Sequence, residues 1–159
     1  MYEVGDKIVY PMHGAGVIES IEEKEFLGEK LKYYVMRMPL GEIKIMIPIN
    51  KAGSIGIRSV IDKSVADMVL NYLEKMSVEE TSNWNRRYRE NMKKIKSGNV
   101  FDVAEVVKTL TIREKQKGLS TGERKMPNSA KRILISELVF AENMEPDEIE
   151  NIINCRIKY

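Results

Sequence analysis

The sequence predicts an α+β protein in which a small β structure comes first and a compact set of about five helices follows. In the first fifty residues, short β-branched segments lie between glycine turns, and one of them alternates apolar and polar side chains with a period of two, as strands do. From Ile61 onward, apolar residues recur at the three- and four-residue spacing of amphipathic helices. We therefore expect two domains, residues 1–54 and 60–159, joined without a long flexible linker.

Four segments of the first domain are expected to be strands, at 6–11, 15–23, 30–38 and 42–49, with 55–58 closing them. The fourth alternates most cleanly: its isoleucines share one face, opposite Lys44, Met46 and Pro48. Because Pro48 has no N–H for a ladder, this strand should lie at an edge or end there. The pattern predicts a small β-barrel of SH3 or Tudor type with an edge to which another protein can add a strand.

The second domain is predicted to begin with a helix whose buried stripe comprises Val65, Met68, Val69, Tyr72, Leu73 and Met76. A second helix crosses 81–91 and ends before Gly98, with Ser77, Thr81, Ser82 and Asn83 as candidate N-caps. A third covers about 99–118 and buries Val100, Val103, Val107 and Leu110.

The next helix is expected to start at Ser120, which has capping-box spacing to Glu123, and to break or kink at Pro127. The segment 130–143, whose apolar residues lie almost all round a helix, then predicts the central helix of the domain. Pro146, at a first helical position, opens a last short helix.

Composition excludes several classes of function. Hydrophobic residues at 43% and charged residues at 31% are typical of a globular chain. Neither a spanning run of about 20 apolar residues nor a signal-peptide layout is seen, and the single cysteine suits the cytoplasm. We predict no enzyme, no cofactor and no metal site, with His13 a packing or turn residue and Cys155 an ordinary semi-buried thiol.

The net charge of +2 hides an uneven distribution. Residues 82–96 hold six basic residues and one acid, and residues 113–132 hold seven basic residues and two acids. Residues 133–155 hold six acids and neither Lys nor Arg. One face of the protein is therefore expected to be cationic, although the whole chain is not.

Trp84, the single tryptophan, begins the first basic segment and can be interpreted in two ways. In a helix that includes it, its ring falls on the side of Tyr88, which predicts a core residue beside solvated arginines. In a helix that begins at Asn83, the ring lies in the first turn, where it can meet bases while the helix end and the arginines meet phosphate. Spacing alone leaves both open. The same holds for 115–126, where Arg124 and Lys125 belong either to a plain helix connection or to a phosphate-binding loop.

Three segments, "VYPMHGAGVIESIEEKEFLGEK", "NWNRRYREN" and "REKQKGLSTGERKM", together resemble the CarD/CdnL family of bacterial transcription regulators. The resemblance covers nearly the whole chain. It implies a Tudor-like domain that binds the RNA polymerase β subunit by pairing sheet edges. It also implies a helical domain that contacts promoter DNA near the upstream edge of the −10 region and helps to hold the open complex.

The resemblance also implies roles for particular residues. Trp84 matches a tryptophan that wedges into the minor groove, which favours the exposed interpretation of its ring. The implied phosphate contacts are Arg86, Arg87, Arg89, Arg124 and Lys125, and Lys93, on the same side of the predicted helix as Arg86 and Arg89, is a further candidate. The implied polymerase contacts are Lys24 and Met46, and Lys44 and Ile45 of the predicted edge strand are further candidates. Lys24 and Met46 stand where relatives have arginines, so neither supplies a guanidinium fork.

The expected function is thus a monomeric, cytoplasmic bridge between polymerase and DNA, with contacts to the minor groove and phosphates that are largely independent of sequence. The alternative is a protein–protein adaptor whose helical domain binds a protein and not DNA.

Overall fold

The computed structural model describes residues 1–78, 83–119 and 121–157, and within these it leaves the side chain of Trp84 undescribed. Five strands form one antiparallel sheet in the order β4-β3-β2-β1-β5. They are β1 (Lys7–Tyr10), β2 (Gly14–Phe26), β3 (Glu29–Arg37), β4 (Lys44–Pro48) and β5 (Arg58–Ser59). A helical turn (Ile49–Lys51) and a short helix α1 (Ala52–Ile55) connect β4 to β5. The predicted order, strands first and helices after, is confirmed.

The sheet domain has a hydrophobic core of its own. Strands β1 to β4 contribute Ile8, Ile18, Tyr34, Met36 and Ile47 to this core, and Ala52 of α1 packs with them. A register shift in β2 between Ile18 and Ser20 marks an irregularity of the kind that bends a strand. Strands β4 and β5 are the two ends of the strand order, so the seam between them is open.

The expectations for β4 are confirmed, and those for the closing strand are partly wrong. Strand β4 is an edge of the sheet, and it also ends at Pro48. Residue 55 belongs to α1, so that the fifth strand begins only at Arg58. The sheet therefore extends past the predicted domain end at residue 54, because β5 pairs with β1.

Five helices follow in the described part of the chain. They are α2 (Lys63–Lys75), α3 (Trp84–Lys96), α4 (Val100–Gln116), α5 (Met126–Glu142) and α6 (Pro146–Arg156). The stripe predicted for α4 is buried, and Pro146 opens α6 as expected. Met68 is exposed, because α2 turns Ala66 and Leu70 toward the core in its place.

Helix α5 starts later than the sequence predicts, at Met126. Residues 121–125 are turns, and Pro127 lies in the first turn of α5, where its missing N–H leaves no helical hydrogen bond unmade. Pro127 thus belongs to the start of the helix and does not break it. Ser120, the predicted N-cap, lies outside the described residues.

Helix α5 also joins the two domains, since it packs against β2 as well as against α4 and α6. The backbone N–H of Ala15 donates to Ser136 Oγ over 2.8 Å. Gly14 has φ +115°, and a Cβ placed there would lie 2.6 Å from the same oxygen. The glycine is therefore required both by the backbone conformation and by the close approach of α5.

Three smaller predictions can be compared with the structure. His13 is exposed, with its ring edge-on to Tyr10 at 4.5 Å and its backbone N–H donating to the Tyr10 carbonyl, so it is a turn residue as expected. Cys155 is exposed and not semi-buried. No helix in the described ranges is long and apolar enough to cross a membrane.

Lys108 is a buried charge in the helical domain that the sequence does not reveal. Its Nζ donates to the carbonyl oxygens of Glu74, at 3.2 Å, and of Met76, at 2.9 Å. Burial lowers the pKa of Lys108 below its ordinary value. The ammonium group thereby satisfies carbonyls at the end of α2 and fixes the path by which the chain leaves that helix.

Candidate functional site

Helix α3 carries the first basic segment, and its start is set by Asn83. The Asn83 side chain accepts a hydrogen bond from the backbone N–H of Arg86 at 3.2 Å, as an N-cap does. Trp84 is consequently the first helical residue and lies in the first turn. Its side chain lies outside what the structure describes, so exposure of the ring stays a prediction.

One side of α3 combines cations with apolar surface. A groove of about 490 Å³ is lined by Tyr88, Arg89, Met92, Lys93, Lys96 and Ser97. Its three cations are exposed, whereas Tyr88 and Met92 are half-buried and pack on the helical core together with buried Ile95. The groove thus has an apolar floor and a cationic rim, a combination that suits a polyanion with stacked rings.

Arg86 lies on the same helix and is well exposed. Its Nε donates to Glu90 Oε1 at 3.0 Å, an ion pair between residues four apart. Such exposed pairs are worth only about 0.3–0.5 kcal/mol. The guanidinium can therefore exchange Glu90 for a phosphate at little cost.

Arg87 differs from its neighbours, because it is buried. Its residue exposure is 8%, and that of its partner Glu123 is 0%. Arg87 Nη2 donates to Glu123 Oε1 at 3.0 Å and Nε donates to Oε2 at 3.3 Å. The expectation that Arg87 is a solvated cation available to phosphate is therefore wrong.

The Arg87–Glu123 pair instead brings the two basic segments together. Glu123 lies in the turn 121–125, directly before Arg124 and Lys125, which are both exposed. The pair holds this turn against the first part of α3. The signal that could have predicted burial is the spacing of Arg87, Asn91 and Ile95, four residues apart and all buried.

The second candidate surface is the free edge of the sheet at β4. Met46 is exposed at 37%, Ile45 is half-buried, and exposed Lys44 pairs with Glu19 at 3.0 Å. Met46 lies opposite Val35 of β3, and Val35 lies opposite Ser20 of β2. Because residues opposite each other in a sheet share a face, Met46 and Ser20 lie on the same face.

Lys24 lies four residues beyond Ser20 on β2 and so shares the face of Met46. Its β3 partner is Leu31, whereas the last residue of β4, Pro48, pairs with Tyr33. Lys24 is exposed on the part of the β2–β3 hairpin that extends past the end of β4. The four predicted polymerase contacts therefore lie along β4 and the hairpin beside it.

Comparison with known proteins gives matches along both domains. Residues 2–61 match the family model of the CarD-like/TRCF RID domain, and residues 68–154 match that of the CarD C-terminal domain. The chain belongs to the CarD family. This CarD-family chain is also 42% identical over 151 residues to Bacillus subtilis (strain 168) YdeB, whose name proposes a transcription factor. That match covers 95% of this chain and 99% of YdeB.

Two solved structures are similar to the N-terminal part of this CarD-family chain. The solution NMR structure of the 72-residue N-terminal domain of Myxococcus xanthus CarD is 36% identical, with a TM-score of 0.33. The match covers 37% of this chain and 79% of the Myxococcus xanthus CarD domain. CdnLNt from Myxococcus xanthus is 44% identical, with a TM-score of 0.34. That match covers 38% of this chain and 86% of CdnLNt. The family assignment rests on the domain matches and on YdeB.

The match to the CarD-like/TRCF RID domain ends at residue 61 and so includes β5, the last strand of the sheet. In this CarD-family chain, the two candidate surfaces therefore lie on different domains: the β4 edge on the first, and the α3 groove on the second.

Proposed function

We propose that this chain is a transcription regulator that bridges the RNA polymerase β subunit and promoter DNA and stabilises the open complex at the upstream edge of the −10 region. The observation that carries the proposal is that one chain has two exposed surfaces of different chemistry, one on each domain. The family membership and the name of YdeB support a role in transcription. Such a bridge would act as a monomer in the cytoplasm.

The β4 edge is the proposed polymerase-binding surface. An edge strand offers unpaired backbone groups to a strand of another protein, and the side chains beside it select the partner. Lys44, Ile45, Met46 and Lys24 would supply those side chains. Because Met46 and Lys24 lack the planar fork of arginine, apolar packing would contribute more than bidentate hydrogen bonds.

The groove of α3 is the proposed DNA-binding surface, together with Arg86, Arg124 and Lys125. Cations on long side chains neutralise phosphates without selecting a sequence, and free DNA should bind with a Kd of about 10⁻⁴ to 10⁻⁶ M at physiological salt. Trp84, in the first turn of α3, would contact the edge of the opened DNA. Arg87 has no phosphate contact in this proposal, because it holds Glu123.

The experiment that tests the DNA surface is a salt titration of DNA binding. The double variant Arg89→Ala/Lys93→Ala should weaken binding about equally across unrelated duplexes. It should also reduce the slope of log K against log salt by about 1.8, since each neutralised phosphate contributes about 0.9. Fluorescence anisotropy with two unrelated duplexes measures both quantities.

The matched control is Lys30→Ala/Lys32→Ala, which removes the same charge from exposed positions of β3. It should leave the slope nearly unchanged. Equal slopes for the two double variants, or no salt-dependent binding by the wild type, would favour the adaptor function. In that case the apolar floor of the α3 groove would bind a protein.

A further inference from the structure

Arg58 of β5 contacts two elements of the helical domain with one guanidinium group. Its Nη1 and Nη2 donate to Glu137 Oε2 and Oε1 of α5, at 2.6 and 2.7 Å. Its Nε donates to the carbonyl oxygen of Gly98 at 2.9 Å. Gly98 is the second residue after the end of α3. The guanidinium group of Arg58 therefore connects the sheet both to α5 and to the end of the proposed DNA-binding helix.

Glu137 is the buried partner in this arrangement. Its side chain is 4% exposed, against 31% for Arg58. Besides both nitrogens of Arg58, its carboxylate accepts the backbone N–H of Ile61 at 3.0 Å, in the segment between β5 and α2. One carboxylate therefore fixes the last strand and the connection between the domains at the same time.

The turn after α3 also packs directly on the sheet domain. Gly98 has φ +76°, and a Cβ at this position would lie 3.0 Å from Pro11 Cγ. Pro11 directly follows β1, the strand that pairs with β5. The end of α3 is thus held from two sides by groups of the sheet, through a hydrogen bond from Arg58 and a close contact with Pro11.

We propose that Arg58 is a positioning residue that fixes the angle of α3 relative to the sheet. This rests on the proposed function, because a bridge needs its two binding surfaces in a set geometry. The hydrogen bond from the backbone N–H of Ala15 to Ser136 Oγ holds α5 on β2 independently of Arg58, so the domains stay together when Arg58 is changed. What is lost is the constraint on the end of α3, and with it the fixed orientation of the DNA surface relative to the sheet.

The planar fork of arginine is needed for this role. Two nitrogens meet the two Glu137 oxygens side by side while Nε points to Gly98, and a lysine ammonium cannot make these three bonds at once. Arg58→Lys therefore keeps a positive charge beside Glu137 and removes the link to α3. Arg37→Lys, at an exposed position of β3, is the matched control.

The test uses the full-length chain and its Arg58→Lys and Glu137→Gln variants, with thermal melting to select a folded one. NMR residual dipolar couplings report the relative alignment of the domains, and heparin challenge of a polymerase–promoter complex reports open-complex lifetime. For a folded variant, we expect residual dipolar couplings that give a relative alignment of the two domains different from that of wild type. We also expect unchanged binding to polymerase β and to free DNA, and a lifetime gain about tenfold smaller than that of wild type.

Couplings and a lifetime gain equal to those of wild type and of Arg37→Lys would overturn the proposal. A wild type that binds neither polymerase nor DNA would instead contradict the proposed function. In that case the couplings alone would decide whether Arg58 positions α3. The two failures are therefore distinguishable.

Discussion

Glu123→Ala is expected to lower the free energy of unfolding by about 3–5 kcal/mol, because it leaves the Arg87 guanidinium buried without this carboxylate. That is a large share of the roughly 5–15 kcal/mol that stabilises a typical domain. Urea denaturation followed by circular dichroism measures the change. Glu114→Ala removes the same charge from an exposed position of α4 and should cost less than about 0.5 kcal/mol.

A second variant separates the charge from the geometry. Arg87→Met/Glu123→Leu removes both members of the pair and replaces them with apolar groups of similar size, which is often neutral or stabilising for buried pairs. We expect it to recover most of the stability lost in Glu123→Ala and to retain DNA binding, because neither residue contacts phosphate in our proposal. If Glu123→Ala unfolded at the same urea concentration as Glu114→Ala, the pair would not hold the two basic segments together.

Trp84→Ala is expected to shorten the lifetime of the open promoter complex by roughly tenfold or more. An aromatic ring stacked on a base contributes about 1–3 kcal/mol, and about 1.4 kcal/mol corresponds to one decade in an equilibrium constant. The ring acts where the DNA is already opening, since unstacking an intact step costs a few kcal/mol. Heparin challenge measures the lifetime, and Trp84→Phe, which keeps a ring, should retain part of the effect.

Thermal melting of the same variants decides between the two interpretations of Trp84. A ring at the DNA surface leaves the melting temperature nearly unchanged when it is removed. A core tryptophan would cost about 3–5 kcal/mol on truncation to alanine. A large fall in melting temperature with an unchanged open-complex lifetime would assign Trp84 to the core and remove it from the DNA surface.

The parts of the fold that the sequence predicted are those set by local patterns. The apolar spacing of Val100, Val103 and Val107 identifies the buried face of α4 whatever packs on it. Pro146 marks a helix start because its ring fits a first helical turn. The same rule applied to Pro127 would have predicted the start of α5, where the capping-box spacing of Ser120 and Glu123 suggested an earlier one.

The parts that the sequence did not predict depend on contacts between distant residues. Arg87 lies among exposed cations, and its partner Glu123 comes 36 positions later, so the sequence does not show that the two residues pair. Arg58 and Glu137 are 79 positions apart, and no periodicity connects them. Counting Lys and Arg along the sequence could therefore locate the cationic segments. The count could not tell which of these side chains bind a partner and which hold the domain together.

The central claim is that one molecule must hold polymerase and DNA at once, and open-complex lifetime under heparin challenge tests it most directly. Two variants each remove one end of the bridge. Met46→Pro removes a backbone donor that faces the free edge of β4 and so opposes strand addition, and Arg89→Ala/Lys93→Ala removes cations from the α3 groove. The wild type should lengthen the lifetime, and each variant alone should not.

An equimolar mixture of the two variants gives the decisive result, because it contains both intact surfaces on separate chains. We predict that the mixture extends the lifetime no more than either variant alone, at concentrations where the wild type acts fully. A mixture as effective as the wild type would contradict the bridge, since the two surfaces would then act independently of each other.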